Sequence, residues 1–209
     1  MTDRSAPRRL SARDLALTTT FAGVMAALGA VPAFTPGAFP VPITAQSMGP
    51  MLAGAIIGRQ RGAASQLLFL ALVALGLPLL AGGRGGLSAF AGPSVGYIVG
   101  FPVSAWVVGW LTERYGAPYS VVWGVIANAL GGIVVLYALG IPGTAWRAHI
   151  SLTAAITGSG WFILGDCAKT VLAALVARGV HAAYPGLLPM RAARQRSSRP
   201  AVVEPVRTR

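Results

Sequence analysis

WFILGDCAKTVLAALV, residues 161–176, is an apolar run with two ionisable side chains in its middle. Asp166 and Lys169 stand three positions apart, and Lys169 is the only lysine in the chain. Spacing of i,i+3 puts both on one helix face, near enough to pair. If the run crosses a bilayer, each ionised group costs at least about 2.5–3.5 kcal/mol to place there. Such a cost is met either by mutual neutralisation, by a neighbouring helix, or by a polar solute in a cavity that the pair faces.

Composition places the run in a membrane. Of 209 residues, 55% are hydrophobic and 11% are charged, against roughly 25% charged in soluble domains. Gly (27) and Pro (15) are abundant, as bundles of transmembrane helices tolerate. Apolar runs long enough to cross recur at 15–34, 63–80, 93–112, 119–140 and 150–180, and a shorter one lies at 48–58. These predict six helices in a single transmembrane domain over 15–182. Basic tails over 1–14 and 183–209 flank it, the second being Pro/Arg/Ser-rich and expected to be disordered. Residues 35–47 and 81–92 read as irregular outer loops, and 141–149 (IPGTAWRAH) as a short one.

The formal net charge of +12 invites a nucleic-acid reading, but its placement opposes one. Arg4, Arg8, Arg9 and Arg13 precede the first run, and Arg178 and six further arginines follow or end the last. No basic stripe with interleaved aromatics is present. With both termini inside, the inner segments hold fourteen arginines and the outer loops hold two, Arg84 and Arg147. This positive-inside bias predicts a multi-pass membrane protein with cytoplasmic termini.

The chemistry that the sequence excludes is as informative. No His pair, Ser–His set, carboxylate pair or metal-ligand spacing falls within the spans, which argues against an intramembrane enzyme and a resident metal. The lone Cys167 reads as a small apolar side chain. The glycines around Arg84 in 82-GGRGG-86 let backbone N–H groups approach a ligand. No Gly-Lys-Ser/Thr follows, so it is no P-loop and no ATP site is expected. An acidic ring for a channel filter is absent. No internal repeat is visible, which argues against a self-sufficient alternating-access carrier. Ala22, Ala26 and Ala30 repeat at i, i+4, i+8 on the first helix; from spacing alone they are ordinary packing residues.

The blocks 40-PVPITAQSMGPMLAGAIIG-58, 78-PLLAGGRGGLSAFAGPSVGYIVGF-101 and 165-GDCAKTVLAALVA-177 resemble the BioY family. That family is the substrate-capture (S) component of energy-coupling factor (ECF) biotin transporters. The resemblance covers roughly 14–180. It implies an all-α bundle of six transmembrane helices of the S-component type, with a lid-like loop between the first two. It implies biotin as ligand, no cofactor, and as partners a transmembrane coupling protein and two ATPase subunits. The first helix would meet the coupling protein, which turns Ala22, Ala26 and Ala30 into a partner contact.

Biotin needs an apolar slot, an acceptor for ureido N–H, a donor for the ureido carbonyl, and a cation for the carboxylate. The resemblance makes Asp166 the acceptor and offers two cations, Lys169 and Arg84. Asn128 is a second ureido partner, against the plainer reading of an interhelical hydrogen bond. Thr44 and Gln46 fall on the lid, and Tyr97, Trp161 and Phe34 are wall residues. The alternative is an S component or solitary carrier for another small vitamin, with the same architecture and different pocket side chains.

Overall fold

The computed structural model describes residues 11–35, 37 and 39–188. Most of the expected tails, 1–10 and 189–209, lies outside these residues. Secondary structure within them is helical apart from isolated bridges. Helix α1 spans Ala12–Gly29, opened by a capping box in which Ser11 accepts from the Asp14 N–H and Asp14 accepts from the Ser11 N–H. Helix α2 spans Met48–Ala74, and α3 spans Val95–Tyr115. Helices α4 (Val121–Ala129) and α5 (Leu136–Ala148) are joined by a π-helical stretch, Leu130–Val135, into one rod. Helix α6 spans Leu152–Ala183, with Ser151 capping the Ala154 N–H. Three segments are long and apolar enough to cross a membrane: Val95–Tyr115, Val121–Ala148 and Leu152–Ala183.

Besides the end of α2 at Ala74, where the apolar run continues to 80, two boundaries depart from the sequence expectation. No loop separates the runs at 48–58 and 63–80, because Gly58 alone reverses the chain. Its φ of 81° and ψ of 179° lie where only glycine is at ease. A Cβ on Gly62 would stand 3.1 Å from the Gly54 nitrogen, whereas eight residues of straight helix would separate them by about 12 Å. The two halves of α2 therefore bend sharply back toward each other at Gly58. The reversal leaves the Arg59 N–H free at a helix start, and Glu113 of α3 accepts it at 2.8 Å.

The second departure is at 141–149, where the expected loop is helix to Ala148. Gly140 and Gly143 do not break α5; they let it lie against α3. A Cβ on Gly143 would come within 2.6 Å of the Gly96 Cα, and one on Gly140 would enter the Tyr97 ring. Small residues at a helix crossing are the membrane packing device. Turn-forming residues and close-packing residues look alike in sequence.

Burial is inverted relative to a soluble protein. Asp166, Asn128, Gln46 and Gln66 are buried, while Leu164, Trp161, Val122 and Leu175 are exposed. That distribution suits lipid outside and polar contacts inside. On α1, Ala22 is 4% exposed and belongs to the core, with Ala26 packed against it. Of the expected partner stripe only Ala30 is exposed. The outward small residues are Gly23 and Ala27 instead, one position round the helix. The reason is rotational: Met25 and Gly29 share the inward face with Ala22, and Gly49 and Gln46 press against them.

Candidate functional site

A cleft of about 560 Å³, part of it open to the outside, lies between the 41–47 segment, the 80–98 region, α5 and α6. Its polar end is built on Asp166, which is 3% exposed. Asp166 Oδ1 accepts from Lys169 Nζ at 2.9 Å and from Ser47 Oγ at 2.9 Å; Oδ2 accepts from the Tyr137 hydroxyl at 2.7 Å. Lys169 Nζ also donates to the Thr44 carbonyl at 2.7 Å and to Ser47 Oγ at 2.9 Å. An ammonium has three protons, and all three are used. The carboxylate has about four acceptor positions, so Oδ2 keeps one for a further donor.

Aromatic rings wall the middle. Tyr97, Tyr137 and Phe162 meet edge to face at centroid separations of 6.0–6.4 Å. Tyr97 shares a 3.0 Å hydrogen bond with Ser159, which fixes its ring. Leu80, Ile98, Phe101 and Leu136 complete the apolar lining.

Arg84 lies at the cleft from the glycine-rich turn. Its Nε donates to the Ala81 carbonyl at 3.2 Å and its Nη1 to Ser94 Oγ at 3.0 Å. Five N–H groups make up a guanidinium, so three are left over. Each carboxylate among the described residues is already taken: Asp14 by Arg61, Glu113 by Arg59, Asp166 by Lys169. Partial burial lowers the Arg84 pKa from its ordinary value, since desolvation penalises the charge. An anion beside it would offset that penalty.

Of the sequence-predicted site residues, the cleft brings together Asp166, Lys169, Arg84, Tyr97, Thr44 and Gln46. Two of these differ in kind from expectation. Thr44 contributes its backbone carbonyl. The Gln46 amide is consumed as a staple: it donates to the Met25 and Leu79 carbonyls and accepts from the Ala81 N–H.

The remaining three lie elsewhere. Asn128 is fully buried outside the cleft lining and donates to the Thr170 carbonyl at 3.1 Å, tying α4 to α6. Trp161 is 68% exposed on the outer face of α6, and Phe34 is 66% exposed, paired by its backbone with Ile43. Helical period explains Trp161: positions 162, 166 and 169 share a face, whereas 161 points about 140° from 166. That periodicity was enough to select Phe162. Ser47 and Ser94 stood in the quoted motifs with no distinguishing mark. Tyr137 needed the tertiary contact, because an isolated tyrosine in an apolar run is more often packing.

The 41–44 segment forms one wall of the cleft. Its arch is closed by reciprocal Phe34–Ile43 backbone hydrogen bonds of 3.0 and 2.7 Å. Phe39 packs on Phe162 with centroids 5.6 Å apart, in the space that Gly158 leaves open.

Fold and site together define an all-helical membrane protein with a largely apolar, aromatic-walled cleft that is also lined by Asp166, Lys169 and Arg84. The BioY family matches residues 2–186. The chain is 49% identical over 189 residues to a biotin transporter BioY of Rhizobium etli, covering 88% of this chain and all of that protein. It is 46% identical over 187 residues to a biotin transporter BioY of Rhodobacter capsulatus, covering 84% and 97%. The crystal structure of an S-component for biotin from an ECF-type ABC transporter superposes with a TM-score of 0.77 at 28% identity, covering 85% of this chain and 95% of that one. The chain belongs to the BioY family.

Proposed function

We infer that the protein is a transporter, not an enzyme, and that it binds biotin in this cleft for uptake. Carrying the reading is the meeting, in one cleft, of two unlike polar groups and an aromatic box. A carboxylate with one free acceptor position and an arginine without a carboxylate partner among the described residues both line it. Biotin carries groups to match each: a ureido, a fused apolar ring and a carboxylate. The ureido N–H donates to Asp166 Oδ2, the rings stack among Tyr97, Tyr137 and Phe162, and the carboxylate meets Arg84. Lys169 serves as counter-ion to Asp166 and as latch on Thr44, since its three protons are spent. The membrane cost of the Asp166–Lys169 pair is offset by this closed cluster and by the ligand.

The 30–44 segment acts as a lid. Counting the halves of α2 separately, the chain crosses six times, with both termini cytoplasmic and the cleft outside. The membrane domain occupies 15–182 between basic tails. An ECF coupling protein docks on the outward small face of α1, at Gly23, Ala27 and Ala30, and two ATPases supply the energy. Equilibrium binding of tritiated biotin to the purified full-length protein tests the core of this. Asp166→Asn is expected to weaken binding tenfold or more, about 1.4 kcal/mol. Wild-type affinity in that variant, or saturable preference for another vitamin over biotin, refutes the assignment.

A further inference from the structure

At the opposite end of the molecule a second hollow, of about 1020 Å³ including its open side, lies between the α3–α4 connection and the end of α6. Ala117, Pro118 and Tyr119 form one side; Arg178, His181 and Leu188 form the other. The walls are held in place. The Tyr119 and His181 rings pack at 4.9 Å, and His181 Nε2 bonds to the Ala55 carbonyl at 2.9 Å. Arg178 is exposed and is the one formally charged residue in the lining. All three carboxylates among the described residues are paired elsewhere, so none of them neutralises Arg178, which is open to an anion from outside.

The surroundings say what kind of anion. Above the hollow, the outward faces of α4 and α6 are apolar, with Val122, Ile126, Leu172 and Leu175 all exposed. Beside it, Tyr115 stacks on Trp123 at 5.5 Å, and Arg114 sits over Trp110 at 5.5 Å. Aromatics and arginines at one level are the mark of a membrane–water boundary. A free anion suits Arg178 but leaves the apolar faces without a role. A zwitterionic headgroup would bring an ammonium that meets no carboxylate among the described residues.

We propose that this hollow seats the phosphate headgroup of an anionic phospholipid of the inner leaflet, with its acyl chains along α4 and α6. The leaflet rests on the orientation given above; the lipid chemistry does not. Basic pockets between helices on the cytoplasmic side recognise such headgroups.

The test is native mass spectrometry of the full-length protein in detergent, titrated with phosphatidylglycerol or phosphatidylcholine. Phosphatidylglycerol is expected to be retained preferentially. Arg178→Gln should weaken that retention about fivefold, the effect of losing one cation near an anionic surface, with phosphatidylcholine unaffected and Arg178→Lys close to wild type. Arg114→Gln, at the same level but outside the hollow, should leave it unchanged. Equal losses in Arg114→Gln and Arg178→Gln would make the effect diffuse surface charge and overturn the proposal. So would equal losses for both lipids, no loss in Arg178→Gln, or displacement of phosphatidylglycerol by equimolar inorganic phosphate. Biotin binding is measured on the same preparations, so failure of the vitamin assignment and failure of the lipid site are seen separately.

Discussion

Arg84 offers the sharpest discrimination, because its contribution is separable by changing the ligand as well as the protein. Two of its N–H groups orient it on Ala81 and Ser94, and three remain for an anion. Hydrogen bonds to charged groups contribute about 1.5–3 kcal/mol, and the half-exposed position favours the lower part of that range. Arg84→Gln should therefore weaken biotin binding about ten- to hundredfold. Biotinamide, neutral and of the same shape, should bind wild type more weakly by a similar factor. In the Arg84→Gln protein, biotin and biotinamide should bind alike. Isothermal titration of the four combinations gives the coupling directly. If the substitution merely loosens the glycine-rich turn, both ligands lose equally and no coupling appears. That result, or equal wild-type affinity for biotin and its amide, would refute the assignment of the carboxylate to Arg84.

Three other outcomes follow from the geometry. Lys169→Met leaves Asp166 buried without its cation, and should lower stability by about 3–5 kcal/mol; Asp166→Leu/Lys169→Leu should recover most of the melting temperature yet not bind biotin, and normal binding by that double variant would reduce the pair to structural neutralisation. Ala22→Trp overpacks the core and should cost about 1–3 kcal/mol, whereas Gly23→Trp, with nothing within 4 Å of its Cβ position, should keep stability and biotin binding while assembly with a coupling subunit and uptake fall; intact assembly in Gly23→Trp removes this face from the contact. In a Cys167→Ser background, a cysteine replacing Ser88 should label with an impermeant thiol reagent in whole cells and one replacing Gln60 should not, and outside labelling at position 60 overturns the six-crossing topology.

Much of the protein was legible without coordinates, for reasons that can be stated residue by residue. Apolar runs report membrane helices because lipid imposes a single constraint along the whole length of a span. The Asp166–Lys169 pair was conspicuous because ionised groups in such a run are costly, and its i,i+3 spacing is a property of one helix. Arg84 was marked by the glycines around it. The blocks at 40–58, 78–101 and 165–177 carry the family resemblance in the linear sequence alone.

Tertiary structure decided the rest. The bend at Gly58 exposes the Arg59 N–H, and its acceptor is Glu113, fifty-four residues further along the chain. Gly140 and Gly143 are packing residues and not a turn because α3 lies against them. Gln46 carries the right groups for a vitamin, but the Met25, Leu79 and Ala81 backbones use them first, and Asn128, whose amide N–H donates to the Thr170 carbonyl, lies outside the cleft lining. Trp161 and Ala22 face the wrong way by a fraction of a helical turn, which only the packing of neighbours sets. Lys169 spends its three protons on Asp166, Ser47 and the Thr44 carbonyl, the last 125 positions away. A linear pattern records which side chains have hydrogen-bonding capacity; which of that capacity is left over depends on contacts between distant segments, and those exist only in the fold.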